Sequence, residues 1–155
     1  MFSKKHFLIL LIAFSFLSCG DNSTDEIEDL ENKSITQEVH QLVNEHRATI
    51  GKSALTFNNQ ISEMALEHTK YMINKGKISH DNFDARFAQV RALVNAMSFA
   101  ENVASKQNSA QEVVTGWLNS AGHRANIEGD YTHTGIGVLK NASGNYYFTQ
   151  LFYSK

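Results

Sequence analysis

The chain reads as an α+β domain in which helices flank a small antiparallel sheet. Three observations predict this. Apolar residues recur at helical spacing in four stretches between residues 36 and 118. The spacing changes to alternation after His123. Asn141-Ala142-Ser143-Gly144 then separates two alternating stretches, as the turn of a hairpin does.

The elements follow in order. Over residues 36–50, Val39, Leu42 and Val43 with His46 and Ile50 fall on one helical face, with Thr36 as cap and Gly51 as stop. A second helix is predicted over 60–75, where Ile61, Met64, Ala65, His68 and Met72 share a face and Gly76 follows. Asn58 or Asn59 caps its start. A third, shorter helix over 84–94 carries Phe87, Val90 and Val94. Ser109-Ala110-Gln111-Glu112 has the form of a capping box opening a fourth helix with Val113, Val114, Trp117 and Leu118. Strands are predicted over 99–104, 134–140 and 145–153.

The front of the chain is a different material. Lys4 and Lys5 precede an apolar run over 7–17, too short to span a bilayer comfortably. It ends Phe16-Leu17-Ser18-Cys19, and Cys19 is the chain's one cysteine. Residues 1–18 therefore read as a lipoprotein signal peptide and Cys19 as the lipidated residue that anchors the protein to a membrane. An ordinary signal peptide with an incidental Cys19 is the alternative. With no second cysteine, the domain must be held by its core rather than by disulfides. Residues 19–35 read as the lipidated Cys and a flexible acidic tether, because 20–31 hold no aromatic and too little apolar surface to offset chain entropy. The folded domain is assigned to 36–155.

Removing Lys4 and Lys5 with the leader leaves 12 basic residues against 16 acidic ones, a net charge of −4. No basic stripe with interleaved aromatics occurs, so nucleic acid is excluded as a partner. No internal repeat or second membrane-length apolar run is present, which fits a monomeric single domain.

Three polar islands carry the chemistry: Ser79-His80, Ala100-Glu101-Asn102-Val103-Ala104, and the run from Trp117 to Ile127 that includes Ser120-Ala121-Gly122-His123-Arg124-Ala125-Asn126. With Asn44-Glu45-His46-Arg47 upstream, and Gly135-Ile136-Gly137 and Thr149-Gln150-Leu151-Phe152 downstream, they resemble, in order, the motifs of the short bacterial branch of the CAP superfamily (cysteine-rich secretory proteins, antigen 5 and pathogenesis-related proteins). The resemblance spans about residues 36–153. It implies a three-layer α-β-α sandwich and a central cleft lined by His80, Glu101 and His123. A second Glu that some members carry three residues after the Trp is replaced here by Ser120. The family's Pro before Gly-His is replaced by Ala121; the chain has no proline at all.

Two chemistries suit that trio. His80 and His123 could hold Zn²⁺ or another divalent ion, with Glu101 as third ligand or as acceptor from a bound water. That set would suit a metal-assisted hydrolase acting on peptides or peptidoglycan, with Glu101 as general base. Alternatively, Glu101 accepts from a histidine and the cleft is a hydrogen-bonded patch in a ligand- or partner-binding module, its ligand a lipid, a cell-wall fragment or a protein. The binding reading is preferred, and no residue is assigned a catalytic role. Neither H-E-x-x-H nor G-x-S-x-G occurs, and a Ser120-His123-Glu101 triad is the weakest option. Ser120, Asn102 and Asn126 are assigned to the cleft lining, the two Asn satisfying backbone groups. Trp117 is assigned to the core and His68 to a hydrogen-bonded core position. Arg124 is read as a surface ion pair rather than a ligand-orienting group, and His40, His46 and His133 have no partner evident in sequence. Localisation is expected at the bacterial cell envelope, lipid-anchored at the outer membrane or cell surface, or secreted if not lipidated.

Overall fold

The computed structural model describes residues 22–155. The leader over 1–18 and Cys19 lie outside the described residues. Five helices and four strands run in the order α1 (Asn22–Thr49), β1 (Thr56–Phe57), α2 (Asn59–Lys75), α3 (Phe83–Val94), β2 (Ser98–Ser105), α4 (Ala110–Leu118), α5 (Ala121–Ile127), β3 (His133–Lys140) and β4 (Tyr146–Ser154).

The strands form one sheet in the order β1-β3-β4-β2. β4 is central, antiparallel to both β2 and β3. Its side chains alternate into two cores, one on each side of the sheet. Tyr146, Phe148 and Phe152 join Val39 and Val43 of α1 and Val113, Val114 and Trp117 of α4. Leu151 and Tyr153 join Ile61 and Ala65 of α2 and Val90 of α3. Helices on both faces make the three-layer sandwich.

Two glycines set how closely α2 lies on the sheet. A Cβ on Gly135 would come within 2.4 Å of the Ile61 backbone, and one on Gly137 within 2.4 Å of the Leu66 backbone. Only residues without side chains let helix and strand meet backbone to backbone. Thr69 uses the closeness, donating from Oγ1 to Gly137 O (3.1 Å) while sitting 2.9 Å from Thr149 Oγ1.

Local signals hold where they are strongest. Asn58 caps α2, its side chain accepting from Ile61 N–H, and Gly76 closes the helix in the left-handed conformation. Ser109 caps α4 by accepting from Glu112 N–H (3.2 Å). The reciprocal bond of the box falls one residue early, from Asn108 N–H to Glu112 Oε2 (2.8 Å). In the hairpin turn, Asn141 Oδ1 accepts from the N–H groups of Ser143 and Asn145.

Four features depart from the sequence reading. Thr36 is no cap, since α1 begins at Asn22 and runs through the stretch read as flexible tether. That stretch is solvated, as its composition requires, but helical; Asn32 is buried and Glu31 pairs with Lys140 of β3 (2.6 Å). The boundary at 36 thus falls within a helix. β1, only two residues long, pairs parallel with β3, so the sheet is not wholly antiparallel. Alternation does not begin directly after His123, because α5 continues to Ile127. Ile50, placed on the apolar face of the first helix, is 45% exposed.

Candidate functional site

Midway along β2 lies the buried carboxylate of Glu101, the fourth residue of the strand. Glu101 is 4% exposed and lies on the α2–α3 side of the sheet. Arg86 of α3 grips it with two nitrogens: Nε donates to Oε2 (2.7 Å) and Nη2 to Oε1 (2.8 Å). This fork-on-carboxylate pairing is the strong form of a charged hydrogen bond. Arg86 Nη1 also donates to Asp81 O (2.6 Å), tying the loop before α3 to the pair. Glu101 Oε1 receives a third contact from His80 Nδ1 at 2.8 Å. His68 Nε2 stands 3.7 Å away, but its hydrogen bond goes to Ser79 O (2.7 Å).

His80 and His68 differ in access to solvent. The His80 side chain is 54% exposed, whereas that of His68 is 2% exposed and stacks on Tyr71. Burial lowers the pKa of His68 from the ordinary imidazole value, opposed by the Glu101 charge. The loop bearing His80 is pinned again at Asp81, which accepts from Tyr71 (2.7 Å) and pairs with Lys75.

His123 approaches from the other side of the β2 edge. Asn102 Nδ2 donates to its carbonyl (3.1 Å), and Asn126 Nδ2 donates to Asn102 Oδ1 (2.9 Å) and Glu101 O (3.2 Å). Both Asn side chains thus satisfy backbone carbonyls, those of His123 and Glu101. His123 Nδ1 lies 2.9 Å from Ser120 Oγ. Partial burial lowers the pKa of His123, and proximity to His80 lowers it further.

The structure gives the predicted trio unequal parts. His80 is bonded to Glu101, and His123 is near enough to respond to the charge of His80. Ser120 engages Nδ1 of His123, the nitrogen that a triad carboxylate would need, while Glu101 is committed to Arg86 and His80. No Ser120-His123-Glu101 relay is assembled. Among the described residues, no group of three or more His, Cys, Asp and Glu side chains is placed to hold a metal ion. A dication at Glu101 would also meet the Arg86 guanidinium. The residues present therefore do not fit the three-ligand set, and two imidazoles remain.

Sequence reasoning missed Arg86, His68 as a neighbour of the carboxylate, and Asp81. A signal for Arg86 existed. It lies four residues before Val90 on a helix face that is otherwise apolar, where an arginine needs a buried counter-charge. His40, His46 and His133 find partners in Leu55 O (2.8 Å), Glu128 (2.9 Å) and Thr132 Oγ1 (2.7 Å). Among the described residues Arg124 forms no ion pair; its Nη1 lies 3.5 Å from Leu118 O at the surface. Trp117 is core, with Nε1 donating to Val103 O (3.3 Å).

A helix-flanked sheet with a buried Glu101–Arg86 pair under His80 at the edge of β2 defines a class of protein, and comparison with known families identifies it. Residues 40–152 match the model of the cysteine-rich secretory protein (CAP) family, and the chain belongs to that family. An uncharacterized Bacillus subtilis protein, YkwD, is 29% identical over 123 residues, covering 77% of this chain and 47% of the relative. YlbC of the same organism, an uncharacterized membrane protein, is 30% identical over 137 residues, covering 86% and 37%. The chain thus spans less than half the length of these relatives.

Among solved structures, an extracellular SCP-domain protein of Bacillus anthracis superposes with a TM-score of 0.74 at 27% identity, covering 88% of this chain and 45% of that one. An outer surface protein of Borrelia burgdorferi has the same fold, with a TM-score of 0.72 at 21% identity, covering 80% and 95%.

Proposed function

We propose that this protein is a non-catalytic binding module of the bacterial cell envelope, presenting the His80–His123 cleft to a ligand or partner. One observation carries the reading: the Glu101 carboxylate is fully buried and held by Arg86 and His80. A general base must reach the substrate's proton or water. Glu101 instead acts as counter-ion to Arg86 and as a holder of His80, whose exposed ring is left to meet a ligand.

The envelope location is supported by relatives named as extracellular, outer-surface and membrane proteins. It is also supported by the Lys4-Lys5, apolar run and Cys19 order of the leader. Among the described residues, no helix is long and apolar enough to cross a membrane. Anchoring in this reading falls to a lipid on Cys19, with lipid, cell-wall fragment or protein as the ligand class. A divalent ion would find only the two imidazoles.

The test compares wild type with His123→Ala on peptidoglycan fragments and casein peptides, with and without added Zn²⁺. No turnover is expected from either. Turnover by the wild type that His123→Ala abolishes, with an unchanged melting curve, would overturn the reading in favour of a hydrolase. Cys19→Ser is expected to release the protein from the membrane fraction; full retention would remove the lipid anchor.

A further inference from the structure

The two edges of the sheet are finished differently. At the β2 edge, the backbone carbonyls of Glu101 and Val103 accept from Asn126 and Trp117, so side chains close the edge. At the other edge, β1 covers β3 only at His133 and Thr134. The chain then turns into α2 at Asn59 and leaves the plane of the sheet.

Beyond Thr134, no strand among the described residues lies beside β3 on that side. Thr134 O accepts from Asn58 N–H, and Ile136 N–H donates to Ser62 Oγ (3.0 Å). Alternation therefore sends the backbone groups of residues 136, 138 and 140 outward. Ser62 takes up one of them. The Ile136 carbonyl and both groups of Val138 face the lane that β1 vacates.

That lane is a groove of about 790 Å³ between α1 and α2, with Phe57, Leu66, Ile136 and Val138 among its apolar lining. Its volume is that of a ligand site rather than a packing defect. Asn32 of α1 lines it, 6% exposed, with an Oδ1 that has no hydrogen-bond partner. A buried acceptor left unpaired is costly unless a ligand donates to it. Asp29 of α1 and Glu63 of α2 stand on the walls against one cation, Lys33, so the rim is net negative.

We propose that this groove binds an extended peptide of a partner protein, which adds as a strand to the open edge of β3. Strand addition matches what the groove offers: main-chain donors and acceptors in a row, and apolar lining for alternate side chains. The acidic rim selects a peptide with basic residues, and Asn32 Oδ1 accepts from a backbone or side-chain N–H. An acyl chain would fill the apolar lining but leave Asn32, the Ile136 carbonyl and Val138 unpaired. This surface is separate from the His80–His123 cleft, and the inference does not depend on that cleft's ligand.

The experiment uses the full chain, ¹⁵N-labelled, and a blocked heptapeptide of alternating Val and Lys. The peptide should shift the amide signals of Ile136, Val138 and Lys140 and the side-chain amide of Asn32. The same peptide N-methylated at every backbone nitrogen should bind about tenfold more weakly, the result of losing a few main-chain bonds. Gln37→Trp, an exposed α1 position on the groove wall, should reduce binding similarly without changing Tm. Asn32→Leu should raise Tm, because an unpaired acceptor is removed, while weakening the peptide severalfold.

Equal affinity for the N-methylated peptide would overturn strand addition. So would shifts at these amides caused by laurate but not by the peptide, or by self-association as protein concentration rises. Absence of any shift at residues 136–140 would overturn the site altogether.

Discussion

Two buried arginines hold two regions of this molecule by opposite means. Arg47 of α1 is 2% exposed and donates only to backbone carbonyls: Ser53, Ile127, Gly129 and Tyr131, at 2.7–3.1 Å. It fastens the end of α1 to the loop between α5 and β3. Burial lowers its pKa from the ordinary guanidinium value, an effect opposed by the charge of Asp130. Arg86 is buried against Glu101, and the pair sits under an exposed imidazole. The first region spends a charge on satisfying main-chain oxygens that nothing else reaches. The second neutralises a charge with a charge, a costlier arrangement that a purely structural core could replace by apolar packing.

The sharpest way to break that contrast is to delete each guanidinium. Arg47→Ala should cost about 4 kcal/mol in urea unfolding, because four carbonyls lose their donor at once. Arg86→Ala should cost about 3 kcal/mol, since it strands Glu101 without a counter-charge. The pair can be repaired and the single arginine cannot. Arg86→Leu combined with Glu101→Leu should recover most of the loss, while no partner substitution should rescue Arg47→Ala. If the double variant is as unstable as Arg86→Ala, the two regions are alike and the contrast fails.

Acidification separates them more gently. His68 and His123 both titrate below the ordinary imidazole value of 6.5 in the folded state. The unfolded chain therefore binds protons first as pH falls. Their contribution is complete above about pH 6.5 and erodes as pH drops through and below it. Tm should decline from about pH 7 to about pH 5, and His68→Gln should flatten that decline. A Tm profile unchanged by both His68→Gln and His123→Gln would show that the β2 end is not the acid-sensitive region. The smallest effect belongs beside Arg47. His46→Ala removes the half-exposed ion pair with Glu128 and should cost only about 0.5 kcal/mol in the same urea measurement.

Legibility in sequence follows the range of the forces involved. α2 and α4 are readable because their caps and apolar faces lie within a few residues of each other, as at Asn58 with Ile61 and Ser109 with Glu112. The first ten residues of α1 have no such local mark. Ile27 and Leu30 face solvent, and what docks this end is Glu31 on Lys140 and the burial of Asn32, across most of the chain. β1 was invisible because two residues cannot show a period. At the site, His80, Glu101 and His123 stood out as polar islands carrying a family resemblance. Arg86 did not, because its partner is fifteen residues away on another element and only tertiary structure pairs them.

The length of α1 has a mechanical consequence. At about 1.5 Å per residue, its 28 residues form a rod of roughly 42 Å, and its last turns are bolted to the body through Arg47. A load applied at Asn22 reaches the domain through a rigid lever. Such a lever sets the direction in which His80 and the open sheet edge look out relative to the α1 axis.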